Sequence, residues 1–332
     1  MKTDNQNILI RVPNWIGDAV VSTAFVAACA KAHPGASISV LAHQRMAELF
    51  EANSNVNDII AFSREKSILH VARSIKNREF DRAYILPLSF SSALMCYLAG
   101  IKQRTGYGSE LRNLLLTESL KYSQNDFRSR HILLGYADIL GRDIAPQPPK
   151  IYLTDDERKK AEKRLSDLKA KPEEVVGFGP GATYGPAKRW PKENWVELGK
   201  ELVNRGHQIL IFGSGEETEL CSQIARGIGP KAINLAGIAS LRQSAALLSL
   251  CSDFITNDTG VMHLAAAVGT RVTAIFGSTC PVWTSPWGEG HTVLYKQEPC
   301  SPCYKRICRY GHYKCLNKIS PGEVLARLGP LT

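Results

Sequence analysis

Strand-like and helix-like stretches alternate along this chain. In "NILIRVPNWIGDAVVSTAFVAACAKAH" a β-branched apolar run at residues 8–12 is punctuated by Pro13-Asn14, and an Ala-rich stretch of helical length follows. "ASISVLAH" reads as a second strand, "RMAELFEAN" as a helix, and "VNDIIAF" and "DRAYILPL" as further strands. The pattern restarts after the proline-rich segment "APQPPKIYL". There "DDERKKAEKRLSDLKAK" reads as a charged, solvated connector helix. "EVVGFGPG", "WVELGKELVNRG", "HQILIFGSG", residues 217–225, "KAINLAG", "LRQSAALLSLC", "DFITND", "HLAAAVG" and "RVTAIFGS" then continue the alternation. Strands alternating with helices predict parallel, doubly wound sheets. Two such series imply an α/β protein of two Rossmann-like domains facing a cleft, residues 1–165 and 166–332. Ligands of open α/β sheets bind beyond the carboxyl ends of the strands, so residues there carry the most weight.

Composition fits this organisation. At 332 residues the chain is about twice a typical domain. With 44% hydrophobic and 22% charged residues it has the balance of a globular protein. Its 41 Lys and Arg against 31 Asp and Glu give a net charge of +10. That surplus favours an anionic partner, whether nucleic acid, phosphorylated metabolite or acidic membrane surface. No stretch reaches the roughly 18–20 apolar residues of a membrane span. "DAVVSTAFVAACA" lies behind a strand without a basic lead, so it reads as an internal helix rather than a signal peptide. A cytoplasmic location is expected, with the nine cysteines mostly reduced.

Four stretches offer chemistry. Asp258-Thr259-Gly260 is the tripeptide of aspartic-protease active sites, but those enzymes are all-β and use two copies. Here it occurs once, ending a strand and opening a helix. The free N–H groups of that helix start suit a phosphate, with Gly260 allowing close approach; alternatively, Asp258 or Thr259 simply caps the helix. His263, one turn in, could face a ligand or pack inside. "FGPGATYGPAKRWPKENW" follows a strand and carries Thr183, Lys188 and Arg189. It could cradle a diphosphate or form a surface turn, and it lacks the Gly-Lys-Ser/Thr of a P-loop. "IFGSGEET" holds Gly213-x-Gly215 without a third glycine, so a dinucleotide fingerprint is incomplete. Its Glu217 could accept bonds from ribose hydroxyls or complement a helix dipole. Asp18, at a loop-to-helix junction, reads by itself as an N-cap. In the tail, Cys300, Cys303, Cys308 and Cys315, with His312 nearby, could be structural zinc ligands or reduced thiols.

Taken in order, "RVPNWIGDAV", "GPGATYGPAKRWP", "NDTGVMHLAAA", "TAIFGSTCPVWTSPWG" and the cysteine-rich tail resemble the bacterial ADP-heptose–lipopolysaccharide heptosyltransferases, glycosyltransferase family 9. The resemblance covers nearly the whole chain. It implies a GT-B fold with the acceptor bound mainly by the first domain and the ADP-sugar by the second. The reaction it implies is inverting, metal-independent transfer of L-glycero-D-manno-heptose from ADP-heptose onto the first heptose of heptosyl-Kdo2-lipid A. ADP-heptose is a substrate, and no cofactor is implied. Residue by residue, Asp18 matches the general base, and Lys188, Thr183 and the N–H groups of Thr259 and Gly260 match the diphosphate site. Asp258 would hold sugar hydroxyls, His263 would line the pocket, Glu217 would bind the ribose, and the Ile238-Ala239 loop would contact adenine. Arg104 and Arg112 are candidate acceptor contacts, and any metal at the cysteines would be structural. The expected partners are ADP-heptose and the anionic lipopolysaccharide acceptor, reached by a monomer in peripheral contact with the cytoplasmic membrane face. The alternatives are heptosyltransferase I or another ADP-sugar transferase of the same fold and, more remotely, a non-catalytic nucleic-acid-binding protein. No nucleic-acid module is present in the sequence to support the last.

Overall fold

A computed structural model describes residues 6–63, 65–141 and 145–328. The chain divides into two compact units, Met1–Tyr152 and Leu153–Thr332. The first holds a six-stranded sheet of β1 (Asn7–Arg11), β2 (Ser37–His43), β3 (Asp58–Phe62), β4 (Arg82–Ile85), β5 (Gln103–Gly108) and β6 (Glu118–Lys121). All neighbours pair in parallel, in the order β3-β2-β1-β4-β5-β6. The second holds β7 (Val175–Gly179), β8 (Gln208–Ile211), β9 (Ala232–Asn234), β10 (Asp253–Asn257), β11 (Arg271–Phe276) and β12 (Thr292–Tyr295). Its order, β12-β11-β10-β7-β8-β9, is the same winding repeated. Both are the doubly wound arrangement, in which the order reverses between the first and fourth strands of each sheet.

The reason lies in the strand sequences. Ile8, Leu9 and Ile10 are all buried, as a central parallel strand covered by helices on both faces requires. In the second unit Val176 and Phe178 play the same part, and Phe178 packs on Trp195, which meets Trp190 edge-on at 5.2 Å. The strands β5, β6 and β12 carry no such signal. β6, "ESLK", is largely exposed and reads in isolation as loop. The helix expected around residues 45–53 is a short turn, Gln44–Ala47, running into a 3₁₀ turn, Glu48–Phe50.

The charged helix Asp155–Asp167 is not a free connector, and the division falls before it rather than at residue 165. Thr154 and Glu157 form a reciprocal capping box at its start. Ala161 and Leu165 are buried, and Glu157 also pairs with Arg242 of the helix Leu241–Leu248, whose side chain is nearly enclosed. The Arg242 hydrogen bond, with those from Thr154, pulls the Glu157 carboxyl down to about 2. A depressed carboxyl stabilises the fold above its unfolded value near 4.5, and that stability is lost as pH falls toward 2. Glu157→Gln should therefore cost roughly 2–3 kcal/mol at neutral pH. Chemical denaturation as a function of pH should show the gap to the parent closing between pH 4.5 and 2.

Candidate functional site

In the second unit the reversal of strand order lies between β7 and β10, which pair directly. The segments leaving these two carboxyl ends are the glycine-rich loop and Asp258-Thr259-Gly260. Asn257, fully buried, joins them. Its amide donates to the carbonyls of Pro180 (2.7 Å) and Gly181 (3.2 Å), and its oxygen accepts from the Trp190 N–H at 3.0 Å. The loop is thus held at both ends by one side chain. From it Lys188 reaches Asp258, Nζ to Oδ2 at 2.5 Å. Asp258 is only 5% exposed, and its other partners are the Thr279 hydroxyl at 2.5 Å and the Thr284 hydroxyl at 3.5 Å.

Thr259 occupies the N-cap position of the helix Gly260–Ala267 in extended conformation, but its side chain caps nothing. The first N–H groups of a helix have no intrahelical acceptor, so this start keeps its affinity for an anion. The Lys188 ammonium and an open helix start thus belong to one cluster. His263 is buried within the same helix, and Thr183 is exposed on the loop.

The neighbouring strand completes the outline. Glu217 forms a capping box with Ser214, using Oε2 for the Ser214 N–H (2.8 Å) and hydroxyl (3.0 Å). Its Oε1 has no partner although the residue is 7% exposed. Both readings of Glu217 therefore have a physical basis, one oxygen capping and the other available. A Cβ at Gly181 would lie 2.2 Å from the carboxyl carbon, so a larger residue there would displace the Glu217 carboxylate. Beyond β9, Gly237 turns with φ +72 close to Gly215, and Ile238 stands 64% exposed beside Ala239.

The cysteine-rich tail has a scaffolding part that its sequence does not announce. Tyr184 donates its hydroxyl to the Tyr304 carbonyl at 2.6 Å, and the Ala187 N–H bonds the Arg306 carbonyl at 3.0 Å. The N–H groups of Cys303 and Tyr304 bond the carbonyl of Ser278, next to Thr279. The tail therefore ties the lysine loop to the threonine loop. Cys300, Cys303, Cys308 and Cys315 are free and partly exposed. Burial and the three neighbouring thiols push Cys315 up to about 11, whereas backbone N–H groups of residues 310–313 draw Cys308 down. Among the described residues, no group of three or more His, Cys, Asp or Glu is placed to hold a metal ion.

In the first unit the reversal lies between β1 and β4. After β1, Arg11 turns inward, donating to the Val12 carbonyl and to Asn14 Oδ1 (2.8 Å) and stacking over Phe62 at 4.8 Å. This shapes the Pro13-Asn14 turn and starts the helix Ile16–Ala32. Asp18 is not its N-cap; Trp15 is, and Asp18 lies in the first turn. There its carboxylate, together with burial, holds the Tyr136 phenol well above its usual value, burial being the larger cause.

The two arginines proposed for the acceptor have other work. Arg112 is completely buried and donates to the carbonyls of Pro87, Ser89 (3.3 Å) and Ile85 (3.2 Å), so an acceptor cannot reach it. Arg104 is half-buried and donates to the carbonyls of Ile101 and Leu115 (2.6 Å). Sequence reasoning also passed over Asn257, Thr279 and Thr284. The Ser/Thr/Pro-rich run after β11, in the same setting as the glycine-rich loop after β7, was the available signal for the two threonines.

Two doubly wound parallel sheets, with polar loops gathered at the strand-order reversal of each, are the arrangement of the GT-B fold class. The profile of "Glycosyltransferase family 9 (heptosyltransferase)" matches residues 68–314, and the chain belongs to that family. It is 31% identical to lipopolysaccharide heptosyltransferase 2 of Escherichia coli (strain K12), over 98% of each chain. The structure of E. coli ADP-heptose LPS heptosyltransferase II superposes with a TM-score of 0.84 at 30% identity, covering 98% of both chains. A glycosyl transferase family 9 protein from Veillonella parvula shares the fold with a TM-score of 0.90 at 24% identity, covering 100% of this chain and 98% of the other.

Proposed function

We propose that this protein moves a heptosyl group from ADP-heptose onto the lipopolysaccharide inner core, at the first heptose of heptosyl-Kdo2-lipid A. The observation that carries this reading is similarity through 98% of both chains to a named lipopolysaccharide heptosyltransferase 2. The site chemistry supports it. A nucleoside diphosphate needs donors for its phosphates, and Lys188, Thr183 and the N–H groups of Thr259 and Gly260 supply them. Ribose hydroxyls need an acceptor, and Glu217 has a buried carboxylate oxygen that receives no donor. The exposed Ile238, beside Ala239, offers an apolar face for a base.

The reaction is a single inverting displacement. The acceptor oxygen bonds the anomeric carbon from one face while the bond to ADP breaks on the other. The hydroxyl proton passes to Asp18, and the leaving electron pair stays on the β-phosphate, opposed by Lys188 and the helix start. Asp258 orients Lys188 and the sugar hydroxyls, and His263 lines the donor pocket. With Lys188 and the helix-start N–H groups meeting the leaving charge, the proposed transfer uses no divalent metal.

The test is transfer by purified protein from ADP-heptose to Kdo2-lipid A and to heptosyl-Kdo2-lipid A, followed by mass spectrometry. One heptose added to the second acceptor alone, undiminished by EDTA, is the expected result. Addition to Kdo2-lipid A alone would overturn the acceptor assignment, and loss of transfer in EDTA would overturn metal independence.

A further inference from the structure

Trp15 stands three residues before Asp18, where the chain leaves β1 at the strand-order reversal of the first sheet. Of the five tryptophans, Trp190 and Trp195 are buried and Trp283 and Trp287 half-buried, whereas Trp15 is 57% exposed. An indole is ordinarily among the more buried side chains. Capping does not account for it either. Trp15 is the N-cap of the helix Ile16–Ala32, a position that favours Ser, Thr, Asp or Asn, and its side chain makes no cap hydrogen bond.

The backbone beneath the indole is fixed. On one side Arg11 donates to the Val12 carbonyl and to Asn14 Oδ1. On the other, the Trp15 carbonyl accepts from the Ala19 N–H at 2.8 Å as the first helical turn closes. An N-cap and the third helical residue share one side of that turn, which sets Trp15 beside Asp18. A large aromatic ring on a held backbone gives contact area at little cost in conformational freedom.

These groups together suit a sugar. One face of a pyranose ring is lined with weakly positive C–H bonds, and the face of an indole is electron-rich, so the two stack. The hydroxyls at the rim need polar partners. Asn14 is exposed, and with its oxygen engaged by Arg11 it keeps amide N–H groups to donate, while Asp18 is an acceptor. The same surface disfavours an acid. A carboxylate is repelled by Asp18 and by the indole face, and residues 12–18 hold no Lys or Arg to offset this. Given the acceptor proposed above, on which this rests, we infer that Trp15 stacks against the neutral heptose ring to be glycosylated and selects it over an acidic sugar such as Kdo.

The test compares the parent with Trp15→Leu, which keeps an apolar side chain without a ring, and with Trp15→Phe. Deacylated, water-soluble heptosyl-Kdo2 and Kdo2 are the probes. Trp15→Leu should raise KM for the heptosyl acceptor at least about tenfold. Its kcat and ADP-heptose affinity should stay within about twofold of the parent, with an unchanged melting temperature. Trp15→Phe should recover most of the loss. By calorimetry, the preference for heptosyl-Kdo2 over Kdo2 should narrow in Trp15→Leu. The heptosyl acceptor should also change the tryptophan fluorescence of the parent and not that of Trp15→Phe, a readout independent of transfer. An unchanged acceptor KM in Trp15→Leu overturns the assignment, as does a loss that Trp15→Phe does not repair. An equal loss of affinity for both probes overturns the selectivity. A Trp15-dependent fluorescence change without any heptosyl transfer would leave the platform standing and remove the proposed function, whereas transfer without that change would do the reverse.

Discussion

Asp18→Asn is expected to lower turnover by roughly 10²–10⁴, the usual contribution of a positioned general base. The variant keeps the size and hydrogen-bonding reach of the side chain but cannot take up a proton. Asp18 lies in the first turn of Ile16–Ala32, behind a loop that Arg11 holds through Asn14. The carboxylate therefore sits on a supported helix end rather than a loose loop. ADP-heptose affinity should be unchanged, because the proposed donor groups belong to a unit with its own sheet and core. A fall in kcat with an unaltered dissociation constant for the donor separates lost chemistry from lost binding. The Tyr136 phenol, raised in part by Asp18, gives a second readout that requires no activity. Its titration should move down in Asp18→Asn. Undiminished turnover would remove Asp18 from the mechanism.

The central strands of both sheets were legible because they are buried on both faces, and burial leaves runs such as "ILI" and "VVGF" in the sequence. Of the edge strands, β3 and β9 were legible in "VNDIIAF" and "KAINLAG", whereas β6 and β12 were not, since a strand with one partner and a wet face needs no apolar run. Among site residues, those at strand ends were legible for the same topological reason: glycines and polar side chains accumulate where ligand-binding loops leave the sheet. Long-range partnerships were invisible. Lys188 and Asp258 are 70 residues apart, and Tyr184 and Tyr304 are 120 apart. Strand order brings them together, and no local periodicity encodes it. Arg112 misled for a related reason. A basic residue in a polar segment reads as solvated, yet the bare α-carbon of Gly106 leaves the room its guanidinium fills; a Cβ there would lie 2.6 Å from Nη2. Burial lowers that guanidinium to about 10, against the smaller opposing pull of Cys96 and Glu110. Its hydrogen bonds go to the carbonyl oxygens of Pro87, Ser89 and Ile85, a kind of site that a single sequence does not display.

The Lys188–Asp258 pair should fail in two distinguishable ways. Lys188→Ala removes the charge proposed to meet the departing diphosphate, and loss of one such donor typically costs about 10²–10³ in turnover. It also leaves Asp258 buried with only the Thr279 and Thr284 hydroxyls. Breaking a buried pair on one side costs roughly 3–5 kcal/mol, mostly from the stranded charge. Those two hydroxyl donors place the expected loss toward the lower end. Neutralising the stranded partner should repair the second defect and not the first. Lys188→Ala/Asp258→Asn keeps an oxygen to accept from Thr279 and has no charge to desolvate, so it should recover most of the stability while remaining inactive. Thermal unfolding and donor titration of the four proteins form a double-mutant cycle whose coupling measures the pair. Additive losses of stability would mean that the two side chains act independently. Recovered turnover in the double variant would mean that the positive charge does not serve the leaving group. Stability restored in the double variant, with the turnover of Lys188→Ala not recovered, is the outcome expected of one ammonium that both neutralises Asp258 and meets a phosphate.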